Sequence, residues 1–296
     1  MVESPRVLSV QSHVVSGYVG NKSAVFPMQL LGFEVDAINS VQFSNHTGYK
    51  KVKGQILTEK DLSDLLEGLS ENQLDHYTHL LTGYIGSVSF LNKISSVVKQ
   101  LRDRNPNLIY VCDPVMGDNG KLYVPKELIP VYKNFILPLA TIITPNLFEM
   151  ELLTDTKITN EDDVWNAIDI LHKKGCETVV ISSAELAEES NLCIFASCRK
   201  DTMVNKLSMK IKKLPLSFTG TGDLFASLFL SWMYKSKGNL KEALENTIAS
   251  LQAVLKRTVD SIEGKEINPR NVELKLIQSK RDIEEPSIIY RASIID

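Results

Sequence analysis

The sequence predicts an α/β fold: a central, mostly parallel sheet with helices on both faces and a small β-hairpin lid. Three observations point to it. Apolar and β-branched runs of strand length alternate with amphipathic helical segments along most of the chain, and such alternation builds a sheet through helical crossovers. Several runs are apolar almost throughout, as strands covered on both faces must be. No linker rich in Pro, Gly or Ser divides the 296 residues and no internal repeat occurs, so the expectation is one domain over 1–296.

The elements follow in order. "RVLSVQS" (6–12) is the first strand. "GYVGNKSAVFPMQLLG" (17–32) carries Val25, Met28, Leu30 and Leu31 as a rough helical stripe, with Gly32 ending it. "FEVDAINSVQFS" (33–44) alternates as a strand. "TGYKKVKGQIL" (47–57) is short, glycine-punctuated and alternating, which predicts a hairpin too small for its own core. "EKDLSDLLEGL" (59–69) is a helix with one apolar face. "YTHLLTGYI" (77–85) is a strand, and "SVSFLNKISSVVKQLRDRN" (87–105) an amphipathic helix with a basic C-terminal end. "NLIYVCDPV" (107–115) is a buried strand. "PKELIPVYKNFIL" (125–137) is a helix opened by Pro125, a residue suited to a first helical turn.

"ATIITP" (140–145) is a strand and "NLFEMELLT" (146–154) a helix. "NEDDVWNAIDILHKKG" (160–175) is a helix with Asn160 as its cap and Gly175 as its stop. "ETVVISS" (177–183) is a strand, and "NLCIFASC" (191–198) and "TMVNKLSMKIKKL" (202–214) add further alternating segments. The last long helix, 240–260, repeats Ala243, Thr247, Leu251, Val254 and Thr258 along one face.

Composition excludes several classes. Apolar residues make up 43% and charged residues 23%, the balance of a globular rather than a disordered chain. Net charge is −3, with no basic stripe interleaved with aromatics, so nucleic acid is not an expected partner. No apolar run reaches the roughly 18 residues of a membrane span, and the first residues lack the pattern of a signal peptide. Cys112, Cys176, Cys193 and Cys198 form neither a CxxC nor a metal-ligand spacing, which suits reduced thiols in a cytoplasmic protein. The five histidines are scattered, and His76 with His79 lacks a third ligand for zinc. The acidic group "ELAEES" (185–190) is expected to be a solvated loop.

In open parallel sheets, ligands bind outside the carboxyl ends of the strands. The polar residues that end the predicted strands should therefore gather on one rim. They are Ser12; Asn45, His46 and Thr47; Gly83 and Tyr84; Asp113; Thr144 and Asn146; and Ser182 and Ser183.

"FTGTGDLFASLFLSWM" (218–233) places an acid between a glycine turn and a strongly apolar helix. First-turn backbone N–H groups lack intrahelical partners and bind anions with the helix dipole behind them. Glycine lets a phosphate approach closely, so Gly220, Thr221 and Gly222 form a candidate anion cradle. The sequence has no GxxxxGK[ST], and Leu224 and Phe225 break a GxGxxG. Asp223 then stands where a transferred phosphoryl group would arrive. A carboxylate suffices as base there, because the loose transition state releases the alcohol proton late. The other reading is helix capping, with Thr221 or Asp223 as the cap and the glycines making the turn.

"GTGDLF" behind a long α/β chain resembles the anion-hole signature of ribokinase-like small-molecule kinases. The N-terminal stretch from "VLSVQSHVVSGYVGN" through "VQFSNHTGY" (7–49) narrows this to the eukaryotic pyridoxal kinase family. "LTGYIG", "YVCDPVMGD", "YVPKELIPVYKN", "IITPNLFEMELLT" and "QSKRDIEEP" resemble that family in the same order, so the resemblance covers nearly the whole chain. It implies a ribokinase-like fold and transfer of the ATP γ-phosphate to the 5′-hydroxymethyl group of pyridoxal, and of pyridoxine and pyridoxamine. It implies Asp223 as base and Gly220, Thr221 and Gly222 as anion hole. Ser12 and Thr47 would hydrogen-bond the pyridine's polar atoms. Val19, Val41, Phe43 and Tyr84 would enclose the ring, although from spacing alone core packing is the better account of Val19, Val41 and Phe43. Tyr123 resembles the family tyrosine on the loop over the substrate.

Around ATP the resemblance implies Asp113, Asn146, Ser182, Ser183 and Thr221 near the phosphates and nucleotide. Ser182, with Leu214, Pro215, Leu216 and Phe218, would border the adenine. Magnesium, with zinc as the alternative divalent ion, would sit near Asp118 and Glu149, largely through water. Potassium would sit among Asp113, Thr144 and Glu149. A cytoplasmic homodimer is expected. Two departures stand out: the loop "GDNGKLYVP" (117–125) is shorter than in vertebrate members, and "ASCRKDTMVNKLS" (196–208) is trimmed. A hydroxymethylpyrimidine kinase would keep GTGD but change Ser12, Thr47 and Tyr84. A catalytically silent B6-binding protein would tolerate loss of Asp223 or of the glycine pair, and both are intact.

Overall fold

The computed structural model describes residues 4–186, 190–200 and 203–295. The expected solvated loop at 185–190 falls partly outside them, at 187–189, as does residue 202 of the segment 202–214.

The chain opens with β1 (Arg6–Val14), α1 (Asn21–Leu30), β2 (Glu34–Phe43) and the short β3 (Gly54–Ile56). Next come α2 (Glu59–Glu71), β4 (His79–Thr82), α3 (Val88–Arg104) and β5 (Ile109–Cys112). A small hairpin follows, made of β6 (Gly117–Asp118) and β7 (Lys121–Leu122). Then come α4 (Leu128–Val131), a π-helical turn over 132–136, β8 (Ile142–Ile143), α5 (Leu147–Thr154) and α6 (Glu161–Lys173). Strands β9 (Thr178–Ala184), β10 (Asn191–Lys200) and β11 (Met203–Lys212) precede α7 (Thr221–Lys235) and α8 (Leu240–Asp260). The described chain ends with α9 (Lys280–Glu284) and β12 (Ser293–Ile295).

One ten-stranded sheet runs β12-β11-β10-β9-β8-β5-β4-β1-β2-β3. The stretch from β9 to β2 is parallel throughout. β10, β11 and β12 extend it antiparallel on one side and β3 does so on the other. Alternate residues of each central strand enter different cores, as the period of two requires. Leu8, Leu80, Tyr110, Ile143 and Val179 join one core, shared with Phe90, Ile94, Leu153 and Ile168 of the helices on that face. Val7, Leu81, Val111, Ile142 and Val180 join the other, beneath Met28, Phe225, Phe229, Ile248 and Val254. Residues Leu224 to Trp232 of α7 are all buried, which explains a run of Leu, Phe and Trp around the whole helix. The predicted face of α8 is buried too: Ala243, Thr247, Leu251, Val254 and Thr258.

Several sequence expectations shift in register. Asn160 does cap α6, accepting from the Asp163 N–H at 3.0 Å, and Gly175 follows it with φ of 115°. Pro125 does not open α4, because the helix starts three residues later and Pro125 lies in the preceding turn. The hairpin predicted within 47–57 is instead formed by 54–56 pairing with the end of β2. Residues 44–53 make the connection, since Phe43 and Gln42 offer a sheet edge that a self-contained hairpin would leave unpaired. The β6–β7 hairpin and β12 carry two or three residues per strand, too few for a periodic signal.

Candidate active site

Because the central strands are parallel, their carboxyl ends share one rim. Three backbone bonds hold neighbouring strand ends level: Asp113 N–H to Thr82 O at 2.9 Å, Thr144 N–H to Cys112 O at 3.1 Å, and Ser182 N–H to Pro145 O at 3.2 Å. The rim therefore brings Ser12, Tyr84, Asp113, Thr144 and Ser182 to one end of the sheet.

The N-terminus of α7 is aimed at this rim. Gly220 is its cap, with φ of 85° in the left-handed region. A Cβ there would stand 2.1 Å from the Tyr18 carbonyl oxygen, so only glycine fits. No side chain caps the helix. The capping reading of Thr221 and Asp223 thus fails, and the first-turn N–H groups keep their capacity for an anion. Asp223 turns away from its own helix end. Its Oδ2 accepts from the Gly20 N–H at 2.8 Å, while the Ser23 hydroxyl donates to the Gly220 carbonyl at 3.2 Å. Gly20 has φ of 53°, and a Cβ there would lie 1.9 Å from the Ser12 carbonyl oxygen. Gly20 was not among the residues singled out from sequence. The only hint is its place in "GYVGN", two glycines flanking an aromatic and a valine.

Asp113 lies beside this helix end, since a Cβ on Gly222 would be 3.5 Å from its Oδ2. Its Oδ1 accepts from the Thr144 hydroxyl at 3.4 Å. Its Oδ2 is buried without a hydrogen-bond partner. Glu149 is held by a reciprocal cap: Asn146 N–H donates to its Oε2 at 3.0 Å, and Asn146 Oδ1 accepts from its N–H at 2.9 Å. Its Oε1 also accepts from Met116 N–H at 2.9 Å. Burial pushes the Asp113 carboxyl well above the usual range, and the neighbouring charges of Glu149 and Asp223 push it further. Burial also lifts Glu149 to about 7, against the backbone N–H groups of Asn146, Met116 and Gly117. Asp223 is raised by burial and opposed by the Gly20 N–H. Such crowding of carboxylates calls for cationic company.

The remaining predicted residues divide. Val19 and Val41 are buried, as is Ser12, which pairs with Val41 across β1 and β2. Phe43, Tyr84, Ser182 and Ser183 are half-buried on the rim. Thr47 is exposed in the turn after β2, and Tyr123 is 54% exposed beside the β6–β7 hairpin. Asp118 is exposed, its carboxylate accepts from Asn119 N–H at 2.9 Å and Asn119 Nδ2 at 3.1 Å, and its charge helps raise Glu149. Leu214 and Phe218 lean on the core beneath α7, while Leu216 is half-buried and Pro215 exposed. Among the described residues no group of three or more His, Cys, Asp or Glu side chains closes as a metal cage. The donors at hand are carboxylate and hydroxyl oxygens, which suit hard cations that keep their waters rather than a zinc site rich in nitrogen or sulfur. A roomy cleft of about 560 Å³ lies at the opposite end of the sheet, lined by His79, Thr178, Lys200, Tyr234 and Lys237, and contains none of the predicted residues.

A parallel sheet with a glycine-turned, uncapped helix end and an aspartate on its carboxyl rim defines a small-molecule kinase. Residues 35–269 match a family described as phosphomethylpyrimidine kinase. Full-length relatives are more specific. A human pyridoxal kinase is 47% identical, with 100% of each chain covered. A pyridoxal kinase of Arabidopsis thaliana is 52% identical over 98% of this chain and 94% of its own. The solved pyridoxal kinase of Leishmania donovani, in complex with ADP and pyridoxamine, is 31% identical with a TM-score of 0.93, covering 98% of this chain and 99% of that one. The chain belongs to the pyridoxal kinase family.

Proposed function

We propose that the chain transfers the γ-phosphoryl group of ATP to the 5′-hydroxymethyl group of pyridoxal, with pyridoxine and pyridoxamine as further acceptors, and that Asp223 is the base. The observation that carries the assignment is the Gly20 N–H bond to Asp223 at the uncapped end of α7. That bond fixes one carboxylate oxygen and leaves the other to orient a hydroxyl. The alcohol oxygen attacks the γ-phosphorus, the bond from that phosphorus to the bridging oxygen breaks, and Asp223 takes the alcohol proton. Gly220, Thr221 and Gly222 hold the phosphoryl oxygens through backbone N–H groups. Ser12 and Thr47 bind the polar atoms of the pyridine. Val19, Val41, Phe43, Tyr84 and Tyr123 enclose it.

Asn146, Ser183 and Thr221 serve the phosphates, and Ser182, Leu214, Pro215, Leu216 and Phe218 border the adenine. The unpartnered Asp113 Oδ2 and the carboxylate crowding fit bound cations. Asp118 and Glu149 would hold magnesium largely through water, Asp113, Thr144 and Glu149 would hold potassium, and together the ions would neutralise phosphate charge. The oxygen-only donors favour magnesium over zinc.

The reading extends to the whole chain as one domain, because a single sheet takes strands from Arg6 to Ile295. Among the described residues Cys112, Cys176 and Cys198 are outside any disulfide, which supports a cytoplasmic setting. The exposed β3 edge supports a homodimer, and light scattering of the pure protein tests it, a monomer at micromolar concentration overturning that part. The function itself is tested by steady-state formation of pyridoxal 5′-phosphate from pyridoxal and Mg-ATP with potassium present. Turnover is expected. Pyridoxal binding without turnover would favour a silent binder. Turnover of a hydroxymethylpyrimidine in place of pyridoxal would move the chain to the other kinase activity.

A further inference from the structure

Glu273 precedes Leu274 and Leu276, which are both buried in the core beneath α7 and α8. The N–H of Lys275 is tied to the Thr258 hydroxyl of α8 at 3.0 Å. The backbone that presents Glu273 is thereby fixed. Its side chain is 13% exposed and points away from that anchor into two loops at the far end of the chain. Oε2 accepts from the Tyr18 N–H at 3.0 Å, across 255 positions of sequence. Oε1 accepts from the Tyr49 hydroxyl at 3.1 Å and lies 3.2 Å from His46 Nε2. His46 Nδ1 accepts from the Gly48 N–H at 3.1 Å, so the ring proton sits on Nε2 and is donated to Glu273. Gly17, with φ of 103°, completes the fit: a Cβ there would lie 2.4 Å from Glu273 Oε1. Burial alone would raise the Glu273 carboxyl, but the bonds from His46, Tyr18 and Tyr49 hold it below the usual glutamate range, so it is ionised.

These partners are not arbitrary. Tyr18 directly precedes Val19 and Gly20, the latter being the donor to Asp223. His46 directly precedes Thr47. The two loops also travel together, with Val15 N–H bonded to Phe43 O at 2.8 Å and Ser16 N–H to Ser44 O at 3.0 Å. One carboxylate thus joins both walls of the ring pocket to the core.

We infer that Glu273 is a positioning residue for the vitamin substrate: it latches the 15–20 and 44–49 loops in the geometry that binds the pyridine ring, without touching substrate itself. The inference rests on the proposed pyridoxal kinase activity. A glutamine cannot replace it. An amide oxygen placed for His46 and Tyr49 sets the amide NH2 against the Tyr18 N–H, donor against donor, and the flipped amide sets its NH2 against the His46 Nε2–H instead.

The test compares the parent with Glu273→Gln and Tyr49→Phe. In Glu273→Gln the KM for pyridoxal should rise about tenfold or more, the scale expected when a buried charged acceptor loses a partner. The KM for ATP should stay put, and kcat should fall by a smaller factor than the pyridoxal KM rises, because the Gly20 N–H that orients Asp223 sits in the same loop. Hydrogen exchange should show peptides covering 15–20 and 44–49 losing protection. Tyr49→Phe should raise the pyridoxal KM by a smaller factor, and by nothing further when added to Glu273→Gln. An unchanged pyridoxal KM in Glu273→Gln, or equal changes in both KM values and kcat, overturns the latch. If Glu273→Gln does not fold, an unchanged pyridoxal KM in Tyr49→Phe overturns it. A parent that turns over pyridoxal while both variants match it sinks the latch alone. A parent that neither binds nor turns over pyridoxal sinks the activity on which the latch rests.

Discussion

Gly20 donates its backbone N–H to Asp223 Oδ2 at 2.8 Å, although 203 positions separate them. The bond crosses from the turn before α1 to the first turn of α7. It ties the carboxylate to the β1–α1 turn and leaves the end of α7 without a side-chain cap.

Asp223→Asn keeps that size and removes the base. kcat should fall by orders of magnitude while pyridoxal binding stays largely intact, because the lost contact belongs to the transition state. In the parent, the acid limb of kcat/KM should lie above the ordinary aspartate pKa, since the raised Asp223 carboxyl protonates and loses activity at a higher pH on acidification. Steady-state rates across pH check both. Near-normal turnover in the variant would reject the base assignment.

Alanine at the two cradle glycines should separate stability from activity. At Gly222 a Cβ meets only Asp113 Oδ2, at an ordinary 3.5 Å, and the position is helical. Gly222→Ala should hold or raise Tm, alanine being better in a helix by about 1 kcal/mol. It should lower kcat/KM at least tenfold, because the methyl occupies the approach to the N–H groups. At Gly220 the Cβ meets the Tyr18 carbonyl oxygen at 2.1 Å with φ of 85°. Gly220→Ala should therefore lower Tm as well as activity, by strain on the order of 1–3 kcal/mol. Thermal melts beside kinetics read the contrast, and equal Tm losses in the two variants would refute it.

The crowded carboxylates should make the ligand-free protein less stable at alkaline pH. A group whose folded pKa is raised contributes stability at low pH and loses it as pH rises through the folded value, about 7 for Glu149. Asp113→Asn removes one member of the group and with it the repulsion that Glu149 and Asp223 exert on it. In buffer without divalent ions or potassium, its Tm should exceed the parent's at pH 8, and the gap should narrow towards pH 5. A gap that widens on acidification contradicts the sign.

Potassium should activate. Asp113, with its unpartnered buried oxygen, and Thr144 offer oxygen donors beside the helix end. Rates in potassium chloride should exceed those in sodium chloride at equal ionic strength, and equal rates would remove the selective monovalent site.

The central strands were legible because each carries apolar residues on both faces, so Leu80 and Leu81 or Val179 and Val180 fill opposite cores from adjacent positions. β8 shrinks to Ile142–Ile143, yet "ATIITP" marked it, since the run is apolar and bounded by turns. β12 was not legible, its three residues being ordinary until β11 offers an edge. At the rim, Asp223 was visible because glycines frame it. Gly20 was hidden, as a backbone N–H has no sequence signature. Glu273 was hidden for a related reason: "NPRNVELK" has no period, and all three of its partners come from the first fifty residues. The capping alternative for Asp223 needed coordinates, because cap and base share the same local sequence.

The Glu273 contacts also set an order of events during synthesis. Residues 6–143 supply most of the parallel sheet and emerge first from the ribosome. The loops at 15–20 and 44–49 lie within that early portion, yet their anchor arrives only with residue 273. A chain that stops short of residue 273 therefore lacks the one carboxylate that Tyr18, His46 and Tyr49 share. The fastening of these two early loops thus waits for the last tenth of the chain to be made.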